Sequence, residues 1–66
     1  MIKLKVSYEV GQELELKVNY PERDGYAVIV VADGHPGFIK CAKKLQPGDE
    51  LTGKFVSVHN GRLLLS

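Results

Sequence analysis

The sequence predicts an all-β barrel of five strands, and three observations carry that expectation. Apolar residues recur at every second position through most of the chain, the period of a strand with one covered face. Turn-forming pairs punctuate this alternation at Asp24-Gly25, Asp33-Gly34, Pro47-Gly48 and Asn60-Gly61. The chain has 66 residues. A domain of that size buries only about 60% of the surface its unfolded chain exposes, so its core is thin. Closing the sheet on itself removes exposed strand edges with few residues.

The elements follow in order. Ile2, Leu4, Val6 and Tyr8 share one face opposite Lys3, Lys5 and Ser7, which predicts an extra N-terminal strand. After the break at Val10-Gly11-Gln12, the first barrel strand sets Leu14, Leu16, Val18 and Tyr20 against Glu13, Glu15, Lys17 and Asn19. A turn is expected over Pro21-Glu22-Arg23-Asp24-Gly25. Tyr26 to Val31 is a nearly continuous β-branched and aromatic run, the mark of a second strand covered on both faces or bearing a functional apolar face. Asp33-Gly34 reads as a tight hairpin turn into a third strand from Gly37 to Cys41. Ala42 to Gln46 has the length of about one helical turn before Pro47-Gly48 stops it. Two last strands, Glu50 to Val58 and Arg62 to Leu65, flank Asn60-Gly61, the strongest short hairpin signal in the chain. Five strands with a helical turn between the third and fourth are the elements of an OB-fold, a small Greek-key barrel, here as a single domain over residues 1–66.

Composition narrows the function classes. A single cysteine, Cys41, allows no internal disulfide, so a reducing, cytoplasmic setting is expected. The longest apolar run, Ala27 to Ala32, is too short to span a bilayer, and Met1 to Lys5 lacks the apolar stretch of a secretory signal, so no membrane partner is expected. Net charge is +1, but it is unevenly spread. Residues 1–33 carry six acids and four bases, whereas residues 34–66 carry five bases and two acids. A polyanion would therefore meet one part of the molecule more favourably than the other, although for the charge imbalance alone an ordinary solvated surface is the favoured account. His35, Cys41 and His59 are the soft metal ligands, and none shows the short paired spacing of a zinc site. There is no glycine-rich phosphate loop and no arrangement of nucleophile, base and acid. No metal, cofactor or catalysis is expected.

Five short pieces, in order, resemble a family. These are Val10-Gly11-Gln12-Glu13-Leu14, Asp24-Gly25-Tyr26-Ala27-Val28-Ile29, Asp33-Gly34-His35-Pro36-Gly37-Phe38-Ile39-Lys40, Pro47-Gly48-Asp49-Glu50-Leu51 and Gly61-Arg62-Leu63-Leu64-Leu65-Ser66. The series, covering residues 10–66, is similar to the RNA-binding domains named after ribosomal protein S one. The chain departs from that pattern at Lys40, where the family has histidine, and at Val28, where it has a second aromatic. Gly25-Tyr26 also stands where the family has an aromatic followed by glycine. The aromatic platform is thinner as a result. The TRAM domain, another small OB-type RNA binder, resembles the chain in its acidic-Gly-aromatic-Ala-Val strand. Either resemblance implies a non-catalytic module that binds single-stranded or looped RNA, with single-stranded DNA as the related ligand.

Strand alternation then nominates a face. If Ala27, Ile29 and Val31 point into the barrel, Tyr26, Val28 and Val30 point out, joined by Phe38 and Lys40 from the paired strand. Lys17 and Asn19 lie outward on the first strand, and Arg62 comes from the last hairpin. The candidate RNA-binding residues are thus Lys17, Asn19, Tyr26, Val28, Phe38, Lys40 and Arg62: two rings for stacking, three cations for phosphates, an amide and an apolar floor. The competing account has Tyr26 and Phe38 covering the barrel bottom or packing beneath the N-terminal strand, and the cations serving as ordinary surface charge. A second function class stays open on the same residues: a protein-interaction module, in a parent multidomain chain or with a second copy, docking through its apolar face or the Ile2 to Tyr8 strand.

Overall fold

The computed structural model describes residues 8–66, which hold five strands and no helix. β1 spans Glu13–Glu22, β2 Gly25–Val30, β3 Pro36–Ile39, β4 Glu50–His59 and β5 Arg62–Leu65. They close into an OB-like barrel in the order β1-β2-β3-β5-β4, with β4 returning to β1. Every pairing is antiparallel except β3 with β5. The N-terminal strand predicted over Ile2 to Tyr8 lies outside the described residues except for Tyr8 itself. No helix among the described residues is long and apolar enough to cross a membrane.

Closure depends on β1 serving two neighbours. Glu13 to Lys17 pair with Lys54 to Glu50 of β4, while Leu16 to Glu22 pair with Val30 to Gly25 of β2. A strand can do this only by coiling, and the ladder slips between Val18 and Tyr20, where Asn19 is left without a partner. Such a bulge bends the strand and sharpens its twist.

Leu14, Leu16 and Val18 of β1, Val28 and Val30 of β2, Ile39, Phe55, Leu63 and Leu65 fill the interior. Leu16 and Leu63 are fully buried. Each such side chain contributes about 1.5–3 kcal/mol relative to exposure, which is how so few residues hold a barrel. There is no spare volume: a Cβ on inward-facing Gly53 would come within 2.7 Å of Leu16 Cδ1 and 3.1 Å of Ile39 Cδ1.

The structure corrects the predicted facing of β2. Val28 and Val30 point inward, Ile29 is half-buried on the outside, and Val31 is exposed beyond the strand. The reason is register. Val28 sits between core residue Val18 on β1 and inward Gly37 on β3, and residues in one cross-strand row share a face.

The connections also differ from the sequence reading in instructive ways. The turn expected over residues 21–25 shrinks to Arg23-Asp24, because Pro21 and Glu22 continue β1 and pair with Tyr26 and Gly25. Pro21 is tolerated there because β4 has already left that side of β1, so no strand needs the missing N–H. The link from β2 to β3 is a five-residue loop over Val31–His35, where a two-residue turn was predicted. Within it, Gly34 adopts φ 74° and donates to the Val30 carbonyl at 2.7 Å, while the Asp33 carboxylate accepts the His35 N–H at 3.0 Å. Pro36 opens β3, and Cys41 falls outside it. The β4–β5 hairpin is as predicted, with Asn60 at φ 52° and Gly61 at φ 78°, the paired positive values that a two-residue turn matching strand twist requires.

The predicted helical turn over Ala42 to Gln46 does not form. Its backbone is held from outside instead. The Tyr26 hydroxyl donates to the Lys43 carbonyl at 2.8 Å and accepts the Leu45 N–H at 2.9 Å, and Leu45 packs against the core. A single helical turn has a high nucleation cost, and this tertiary alternative satisfies the same groups without it.

Candidate nucleic-acid interface

The outer surface of β1, β2, β3 and β5 is set by the same register. Tyr20, Ala27, Phe38 and Leu64 form one row across the four strands, next to the inward row of Val18, Val28, Gly37 and Leu63. Ala27 is buried although it lies on the outside row, a small side chain flanked by two rings. Tyr20 remains 50% exposed.

Arg62 opens β5 beside the Asn60-Gly61 turn, and Glu22 closes β1 beside Arg23-Asp24. Their side chains meet across the barrel face. The Arg62 guanidinium lies 5.0 Å from the centre of the Phe38 ring, and Arg62 Nη1 donates to Glu22 Oε2 at 3.0 Å, with Oε1 also at 3.0 Å. An arginine over an aromatic face is attracted by the ring's quadrupole. The Glu22 hydrogen bond is the main influence raising the Arg62 pKa, partial burial opposes it, and the nearby Glu22 and Tyr20 charges add to it. The group stays cationic at any working pH. The result is a half-exposed clasp that joins the tips of two hairpins and covers one ring.

Of the seven residues nominated by sequence, the structure brings Phe38 and Arg62 together. Lys17 is exposed on β1, flanked by Ile29 on β2 and Glu50 on β4. Asn19 is the exposed bulge residue. Val28, at 2% exposure, is a core residue and leaves the candidate face. Tyr26 leaves it too, because its ring is half-buried against the core and its hydroxyl latches the residue 43–45 backbone. Lys40 is exposed past the end of β3, on the rim of a pocket of about 390 Å³ that Cys41, Lys43, Leu45, Leu51 and Ser66 also line. A second concavity of about 260 Å³ is lined by Glu15, Glu50, Leu51 and Thr52, whose carboxylates would repel phosphate.

Tyr20 and Glu22 were not nominated. Tyr20 continues the apolar alternation of Leu14, Leu16 and Val18, so it reads as a core residue, and only the slip at Asn19 turns it outward. No sequence signal marks that slip. Glu22 and Arg62 are forty positions apart, and only the closed barrel places them together.

At the β2–β3 loop, Tyr8 packs its ring 5.9 Å from that of Phe55 and donates its hydroxyl to Asp33 Oδ2. His35 Nδ1 lies 2.8 Å from the same carboxylate oxygen. The Asp33 carboxylate is therefore engaged as a loop cap. Among the described residues, no group of three or more His, Cys, Asp or Glu side chains is placed to hold a metal ion.

The latch role of Tyr26 is separable from stacking. Replacing Tyr26 with phenylalanine keeps the ring and leaves the Lys43 carbonyl and Leu45 N–H without their partner, a loss of about 1–3 kcal/mol. The expected result is lower stability in urea and faster amide exchange at Leu45, with affinity for any ligand of the Phe38 face unchanged. A ligand affinity that fell with stability intact would return Tyr26 to the binding face.

Compared with known protein-family models, curated proteins and solved structures, the chain matches none. The outer face of the barrel gathers exposed aromatic and cationic groups. It offers an exposed phenol, a phenyl ring capped by a guanidinium, and, on the next outward row, Lys17 beside Ile29. Flat groups of this kind take stacked bases, and the cations take phosphates.

Proposed function

We propose that this chain is a non-catalytic module that holds single-stranded RNA on the outer face of its barrel, over Tyr20, Phe38 and Arg62, with Lys17 beside them. The observation that carries the reading is the grouping of two rings and an arginine between the tips of the β1–β2 and β4–β5 hairpins. The resemblance of residues 10–66 to S one-type domains supports it, as does the basic balance of the second half of the chain. A reducing, cytoplasmic setting suits the lone Cys41.

The test is a titration of labelled protein with short single-stranded RNA at low and moderate salt, following backbone amide shifts. Shifts should centre on Tyr20, Ile29, Phe38 and Arg62 and fade with added salt, with a slope of about −0.7 per phosphate contacted. No movement at roughly millimolar RNA, beyond the usual range of non-specific binding, would refute the proposal.

A second reading has its own observation. Beyond Phe55, no described strand pairs with the outer edge of β4, and Val56 and Val58 there are 43% and 40% exposed. An open edge with apolar side chains is a template for an added strand from a protein partner. Under that reading, amide shifts on adding the partner would fall on Val56 to His59 instead of Phe38.

A further inference from the structure

Resting on the RNA-binding reading above, we propose that Arg62 is a phosphodiester site that Glu22 occupies in the free protein, so that Glu22 competes with the nucleic acid and sets its affinity. Both Glu22 oxygens lie 3.0 Å from Arg62 Nη1, within the first shell a phosphate oxygen would take on the same guanidinium. The two side chains keep 36% and 24% of their surface, so the pair is open to exchange and is not locked into the core. Half-exposed ion pairs of this kind are weak, and a polyanion with several charges can displace one carboxylate.

The exchange has a second consequence. In the same arrangement that reaches Glu22, the Arg62 guanidinium lies over Phe38. When a phosphate draws it away, the Phe38 ring opens, and a base can stack beside the already exposed Tyr20. Phosphate capture and base stacking are thereby linked at one point. Free nucleobases or isolated phosphate would gain little, whereas a nucleotide strand supplies both groups at once. No bond is made or broken; the carboxylate and the phosphate exchange one hydrogen-bond donor.

The experiment uses a short polyuridylate strand and three variants of the whole chain. Glu22→Gln keeps the shape and removes the competing charge. Asp24→Asn removes a charge two residues away that forms no hydrogen bond or ion pair with Arg62 among the described residues. The double variant Glu22→Gln with Arg62→Gln removes the site itself. Glu22→Gln should tighten binding by about two- to fivefold, the range of an exposed ion pair. It should also steepen the salt slope by up to about 0.7, the equivalent of one further phosphate contact. Asp24→Asn should leave the slope unchanged, and the double variant should lose the gain.

Equal effects of Glu22→Gln and Asp24→Asn, with RNA still bound at Phe38, would overturn the competition and leave the RNA reading standing. Persistence of the gain in the double variant would do the same. Absence of binding by the wild-type chain and by all three variants would overturn both.

Discussion

Gly25→Ala is expected to remove most or all of the stability of this barrel. A Cβ at position 25 would overlap the carbonyl of Ile39 and lie 2.9 Å from Lys40 Cα, both backbone atoms that no side-chain rotation can move aside. The position is fixed from both directions. Gly25 pairs with Glu22 to close the first hairpin, and its neighbour Tyr26 pairs with Ile39. Relief would require β3 to separate from the start of β2, and Ile39 is a core residue. Forced overpacking commonly costs about 1–3 kcal/mol, and against backbone the cost falls at or above the upper end. A domain of this size has roughly 3–10 kcal/mol in total. Urea denaturation followed by circular dichroism should show the midpoint shifted to much lower denaturant, or no folded baseline. A midpoint close to that of wild type would mean that β2 and β3 have room to part, and the tight packing described here would be wrong.

The largest effect on binding is expected from Tyr20→Ala combined with Phe38→Ala. Each stacked base is worth roughly 1–3 kcal/mol by alanine substitution, so losing two platforms should weaken RNA by about thirtyfold or more. Tyr20 is half exposed and Phe38 half-buried, both on the outside of the sheet, so the fold should survive the change. Fluorescence anisotropy with labelled RNA measures the loss, and an unchanged dichroism spectrum establishes that the barrel is intact. The mechanism distinguishes the two rings. Tyr20→Ala alone should act at once, while Phe38→Ala also removes the surface on which Arg62 rests and should alter its salt dependence. An intact barrel that binds RNA as tightly as wild type would remove this face from consideration.

The architecture was legible in the sequence because alternation and turn chemistry agreed. The Leu14, Leu16, Val18 series and the Asn60-Gly61 turn left little freedom in β1 or in the last hairpin. The inward face of β2 was not legible for a physical reason. From Tyr26 to Val31 no polar residue breaks the run, so both phases bury apolar groups, and only pairing with Val18 and Gly37 selects Val28 and Val30 for the core. That single inversion moved Val28 and Tyr26 off the candidate face and cleared Ala27 as the floor between Tyr20 and Phe38. The slip at Asn19 was equally silent, because Asn in a strand reads as a solvent-facing polar residue whether or not it is bulged. Phe38 and Arg62 were legible as an aromatic and a cation on outward positions. Their contact, and the Glu22 pairing beside it, exist only once the barrel is closed.

The parallel pairing of β3 with β5 bears on how the molecule comes into being. Leu63 and Leu65 are core residues, and β5 is the slat that fills the gap between β3 and β4. Without β5, the other four strands form an open sheet in the order β4-β1-β2-β3, whose two edges, β4 and β3, have no strand to join them. Closure of the barrel therefore waits for β5, the most C-terminal of the described strands. Pairs such as Gly37 with Leu63 span long stretches of chain, and their loop entropy must be lost before they give anything back, which places this small protein among slower folders. The outer row of Tyr20, Ala27, Phe38 and Leu64 is therefore complete only once β5 has taken its place beside β3.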